Sequence, residues 1–77
     1  MTTEYVVIDL SYRVAYLVDD QGVAQLAASE TTRSTVGPTL ADWGYRFAPN
    51  SAWEVTDILN AIDAMRRPVE RMESVSG

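Results

Sequence analysis

The sequence predicts an α+β domain: an antiparallel sheet of three or four strands, with a short helix and a C-terminal amphipathic helix packed on one face. Three observations carry this expectation. Two runs rich in β-branched and aromatic residues, EYVVIDL (4–10) and SYRVAYLV (11–18), have the length and composition of strands. The stretch Asp19-Asp20-Gln21-Gly22 has the chemistry of a hairpin turn. Val55, Ile58, Leu59, Ile62 and Met65 recur at helical spacing.

Ser11 marks either a bend between the two N-terminal strands or a bulge within one long strand. The turn after them sets a register. Asp at the first turn position and Gly at the fourth fit a type I turn closed by a left-handed glycine. If Asp19 opposes Val23, then Val18 faces Ala24, Tyr16 faces Leu26 and Val14 faces Ala28. Those six side chains are apolar and share one face, because strand side chains alternate. The other face then carries Arg13, Ala15, Leu17, Gln25 and Ala27, a mixed and wetter set.

Residues 29–37 (SETTRSTVG) read as a loop with room for a short edge strand. Pro38 suits the first turn of a helix. Leu40, Ala41 and Trp43 give that helix an inner side, and Gly44 stands where a left-handed stop belongs. Tyr45-Arg46-Phe47 alternates like a strand and ends before Pro49. Ser51 and Glu54 have capping-box spacing for the last helix. Arg66 and Arg67 suit its C-terminal dipole, and Pro68 stops or kinks it. The expected organisation is therefore one domain over residues 1–68 and a partly frayed C-terminal extension over 69–77.

The composition narrows the chemistry. The 77 residues include eleven acids and six arginines, for a net charge of −5, with no lysine, histidine or cysteine. The usual general bases, nucleophiles and soft metal ligands are thus missing. Asp19-Asp20 is the sole adjacent carboxylate pair, and a turn accounts for it better than catalysis or a metal. The four glycines are too dispersed for a phosphate loop. No catalytic residue, metal site or cofactor is expected.

An acidic chain without a basic stripe is poorly suited to nucleic acid, whose recognition rests on phosphate neutralisation. It also lacks a polybasic membrane anchor, a signal peptide and a membrane span. The expected location is the cytoplasm. Residues 1–30 hold Glu4, Asp9, Asp19, Asp20 and Glu30 against Arg13 alone, whereas residues 31–77 are nearly balanced. A protein partner should accordingly offer a basic surface to the N-terminal half. The candidate contact set is Arg13, Leu17 and Gln25 on the mixed sheet face beside the Asp19 and Asp20 turn, joined by Tyr5 and Val7 if the first strand pairs there. A merely solvated face is the competing reading.

Four of the seven aromatic residues fall within 43–53. Trp43 and Phe47 read as core. Tyr45 and Trp53 are open between core and interface, since their polar atoms need a partner or water.

Leu40-x-x-Trp43-x-Tyr45, Pro49-x-Ser51, Asn60-Ala61 and Arg66-Arg67 together resemble the C-terminal half of a small phage anti-CRISPR family. The resemblance covers about a third of the chain and carries over no contact residue. It implies an antiparallel sheet backed by helices, and binding to the crRNA-carrying backbone subunits of a type I surveillance complex. The expected function is thus a small, acidic, non-enzymatic binding protein, in the class of a phage-encoded inhibitor. A structural homo-oligomer, such as a homodimer, or a subunit of an assembly is the alternative, suggested by the spare apolar residues Val69, Met72 and Val75.

Overall fold

The computed structural model describes residues 3–56 and 63–72. Its elements run β1 (Glu4–Asp9), β2 (Val14–Val18), β3 (Ala24–Ala28), α1 (Val36–Trp43), β4 (Tyr45–Phe47), β5 (Glu54–Thr56) and β6 (Ala64–Arg71). The strands form one antiparallel sheet in the order β3-β2-β1-β6-β4, and β5 pairs with β6 beside β4.

Local chemistry explains the hairpins. Asp9 Oδ1 accepts hydrogen bonds from the amides of Ser11 and Tyr12, which closes the β1–β2 loop. Arg13 completes that loop with φ at 55°. The region around Ser11 is therefore a turn, and the two N-terminal runs are partners in one hairpin, with Val6 opposite Leu17 and Ile8 opposite Ala15. At the next turn Asp19 Oδ1 accepts from the amides of Gln21 and Val23, and Gly22 takes φ 79°. The Asp19 amide donates to the Val23 carbonyl, as a glycine-bulge hairpin requires.

One residue of register then slips. Val18 faces Ala24, but a bulge follows, and Leu17 rather than Tyr16 faces Leu26. This corrects the expected faces. Ala15 and Leu17 lie in the main core with Val6, Ile8, Val36, Leu40, Tyr45 and Val69. Tyr16 and Val18 lie on the opposite face with Tyr5, Val7 and Ala64. Neither face is simply wet, because β1 and β2 bury residues on both.

Helix α1 covers the main core through Val36 and Leu40. It ends at Gly44, whose φ of 83° is the left-handed conformation that glycine adopts without a Cβ penalty. The chain passes directly into β4. Phe47 meets Trp53 edge to face at 5.7 Å, and both pack on the core.

The expected C-terminal amphipathic helix is absent from the described residues. Its two ends are strands, β5 and β6, while residues 57–62 lie outside the described residues. The six strands among the described residues also exceed the expected three or four. Helical periodicity was matched by residues that do other work. Val55 is 83% exposed, and Ala64, outside the apolar stripe, is buried. The supposed capping pair is spent across strands: Ser51 Oγ accepts from Arg67 Nε at 3.0 Å, and Glu54 Oε1 accepts from Arg66 Nε at 2.7 Å.

An arginine-rich strand at the centre of a sheet needs a physical reason, and its neighbours supply one. Arg66 lies over the Tyr5 ring, Arg67 over Phe47 and Arg71 over Tyr45, at 4.6, 4.1 and 5.8 Å from the ring centroids. Each guanidinium lies within cation–π range of an aromatic ring. Pro68 is accommodated because its carbonyl accepts from the Ala48 amide, which places its missing N–H on the same side, between β5 and β4. The bond that a proline cannot return to the Ala48 carbonyl is replaced by one from Ser51 Oγ. The strand runs on to Arg71, so Val69 is a buried core residue and Val69–Arg71 belong to the sheet.

Candidate functional site

Every strand from β3 to β4 contributes one end to the same edge of the sheet. On the helix side these ends bring together Leu26 on β3, Leu17 on β2, Glu4 on β1, Arg71 on β6 and Tyr45 on β4, with Leu26 directly opposite Leu17 and Tyr45 directly opposite Arg71. The five line an open groove of about 660 Å³. Trp43 at the end of α1 forms one wall, and Asp19, Asp20 and Gln25 form the rim.

The groove has a fixed side and an open side. Tyr45 Oη donates to Glu4 Oε2 at 2.7 Å and accepts from Arg71 Nε at 3.1 Å. Arg71 Nε also lies 3.7 Å from Glu4 Oε1. Burial, and then the bond to Glu4, push the phenol above its ordinary pKa, so it stays a donor at neutral pH. The same phenol pushes the Arg71 guanidinium up. At the rim, Asp19 is committed to its turn, and its Oδ2 accepts from Gln25 Nε2 at 3.1 Å. Asp20 is exposed and has no such partner. Three carboxylates thus face one guanidinium across a partly apolar floor, and the groove is electronegative.

Four of the five expected contact residues line this groove: Leu17, Asp19, Asp20 and Gln25. Their roles differ from expectation. Leu17 is only 2% exposed and belongs to the core beneath the groove. Arg13 is not with them. It lies in the β1–β2 loop at the far end of β2, beside a smaller cleft with Tyr12, Glu30, Thr32 and Thr35. Tyr5 and Val7 are on the opposite face. Sequence reasoning missed Glu4, Trp43 and Arg71 and left Tyr45 open between core and interface; these four converge only because β6 inserts between β1 and β4. Alternation across Val69 and Arg71 was the available signal.

Tyr45 is 7% exposed and Trp53 packs against Phe47, so both contribute to the core. Among the described residues, no three acidic, histidine or cysteine side chains converge as metal ligands. No helix of the described residues is long and apolar enough to cross a membrane. No family model, curated protein or solved structure matches the chain.

Proposed function

We propose that this chain is a non-enzymatic binding protein whose groove receives a basic segment of a protein partner. The observation that carries the reading is the lining of that groove: Glu4, Asp19 and Asp20 against Arg71, over Leu17 and Leu26 and beside Trp43. A lysine or arginine side chain suits it, because the stem needs apolar cover and the head needs carboxylates. Charge of one sign in a concave site also speeds encounter with an oppositely charged partner.

An inhibitor that occludes a partner's basic surface, in the class of the phage anti-CRISPR proteins, is the form of this function we favour, and it places the chain in the host cytoplasm. Small size and the acidic groove support it. The strand at 64–71 withdraws the helix on which part of the sequence resemblance lay.

The test is affinity capture from lysate with the wild-type chain, Asp20→Arg and Asp42→Arg. Asp42 is exposed on α1 and does not line the groove. We expect a protein retained by wild type and Asp42→Arg and lost with Asp20→Arg. Equal retention by both variants would overturn the groove as the contact site. A wild-type chain that captures nothing would remove the support for binding itself.

A further inference from the structure

Two charged residues of the smaller cleft hold a backbone conformation that their side chains disfavour. Among the described residues, the left-handed region is occupied by Gly22, Gly44, Asn50, Arg13 and Glu30. Glycine has no Cβ to clash there, and asparagine tolerates the region. Arg13 and Glu30, at φ 55° and 54°, are the exceptions. Residues in such conformations persist where their surroundings hold them, and they cluster at sites that bind.

The two exceptions are also neighbours in space. The Thr31 amide, one residue beyond Glu30, donates to the Arg13 carbonyl at 2.7 Å. Thr31 is 4% exposed, and its Oγ1 donates to the Ser29 carbonyl at 3.0 Å. The β1–β2 loop and the segment after β3 are thus clamped together by backbone bonds. Between them lies a cleft of about 350 Å³, lined by Tyr12, Arg13, Glu30, Thr32 and Thr35. That volume falls in the range of small-molecule sites.

The cleft presents one charge of each sign, and they do not neutralise one another. Neither the Arg13 nor the Glu30 side chain makes an ion pair or a hydrogen bond among the described residues. A ligand of single charge fits this poorly: an anion drawn to Arg13 is repelled by Glu30, and a cation drawn to Glu30 is repelled by Arg13. A ligand carrying both charges satisfies both walls with charge-assisted hydrogen bonds. Thr32 Oγ1 lies 3.0 Å from Ser34 Oγ and 3.2 Å from Thr35 Oγ1. Hydroxyls donate and accept, so this group serves either end of such a ligand. Tyr12 is 79% exposed, and its ring gives the cleft an apolar wall that the core does not use.

We propose that this cleft binds a small zwitterion, a free α-amino acid with an apolar side chain. Its carboxylate meets the Arg13 guanidinium, its ammonium meets the Glu30 carboxylate, and its side chain lies against the Tyr12 ring. The left-handed backbone at 13 and 30 keeps both charged residues on the cleft, where glycine would ease the turn and remove the contact. The site is separate from the acidic groove at the other end of β2, and the two share no lining residue.

Amide NMR titration of the full chain tests this, with L-leucine and L-phenylalanine up to about 20 mM, well above the dissociation constant of a millimolar ligand. N-acetyl-L-leucine, which keeps only the carboxylate, and L-leucine methyl ester, which keeps only the ammonium, are the comparison probes. The expected result is saturable shifts at Tyr12, Arg13, Glu30, Thr32 and Thr35 with both free amino acids, and binding about tenfold weaker or worse with either blocked form. Arg13→Gln and Glu30→Gln lie at exposed loop positions and should keep the wild-type spectrum elsewhere. Each should weaken L-leucine about tenfold or more. Glu30→Gln should also bind N-acetyl-L-leucine better than wild type does, and Arg13→Gln the methyl ester, because each loses a repulsive charge. A merely structural role would move neither preference. No saturable shift with either amino acid, equal binding of the blocked forms, or unchanged binding by both variants overturns the proposal. Asp20→Arg should leave this binding unaltered, so the cleft and the groove can each fail without the other.

Discussion

The Tyr45 phenol donates a 2.7 Å hydrogen bond to Glu4, joining β4 to β1 across the intervening strand β6. The two residues are 41 positions apart, and their bond lies in the floor of the groove.

Tyr45→Phe should therefore lower stability by about 1.5–3 kcal/mol at neutral pH, the range for a hydrogen bond to a charged acceptor. The loss should depend on pH. Burial first, and then Glu4, raise the phenol's pKa above 10.0, so the folded state holds this proton more tightly than the unfolded chain. That contribution is complete below about pH 10 and falls as pH rises through the folded pKa. Urea unfolding of both proteins across the alkaline range should show the gap between them closing. A constant gap would mean that the phenol is not held as described.

Leu17 and Val55 exchange the roles that sequence periodicity suggests for them. Leu17→Ala should cost about 2–5 kcal/mol, because it opens a cavity among Val6, Leu40 and their neighbours. Val55→Ala should change stability by no more than about 0.5 kcal/mol. Thermal or urea unfolding of the two variants decides it. If Val55→Ala proves the costlier, the strand assignment of β5 fails. Leu17→Asp is consequently a folding variant and a poor probe of binding, whereas Asp20→Arg leaves the core untouched.

What was legible in the sequence was what short-range chemistry determines. Asp19 and Gly22 build their turn from their own backbone bonds, and Gly44 ends α1 through its own φ. The groove residues Leu17, Asp19, Asp20 and Gln25 were found together because one hairpin holds them. Strand β6 was illegible because its stability is borrowed from afar. Arg66, Arg67 and Arg71 read as solvent-facing charges until Tyr5, Phe47 and Tyr45 are placed beneath them. Five apolar residues at helical spacing then outweighed a period-two pattern made largely of arginines. The same non-local pairing hid Glu4, Trp43 and Arg71 from the site and left Tyr45 undecided.

Arg13 holds φ at 55° in the β1–β2 loop, a conformation that costs a residue with a Cβ about 1–2 kcal/mol. Its side chain makes no ion pair among the described residues. Arg13→Gly should relieve the strain while adding entropy to the unfolded chain, for a net gain of up to about 1 kcal/mol. A shift of the urea midpoint to higher concentration at unchanged slope checks this. A destabilised variant would show that the Arg13 side chain does more for the loop than its backbone costs.

Pro68 gives the sharpest test of the corrected fold. In a helix interior, proline removes a hydrogen bond and clashes with the preceding turn, so Pro68→Ala would stabilise a helical segment by about 3 kcal/mol. In β6 the missing donor faces the Ala48 carbonyl, which already accepts from Ser51 Oγ. The substitution then restores an N–H that can share the Ala48 carbonyl with Ser51, and it frees the chain slightly before folding. We expect a change of less than about 1 kcal/mol, with a small loss more in keeping than a gain, because proline restricts the unfolded state. Urea unfolding of Pro68→Ala, with far-ultraviolet circular dichroism of both proteins, separates the alternatives. A gain near the helical value, accompanied by increased helical ellipticity, would return residues 64–71 to the helix that the apolar spacing first suggested.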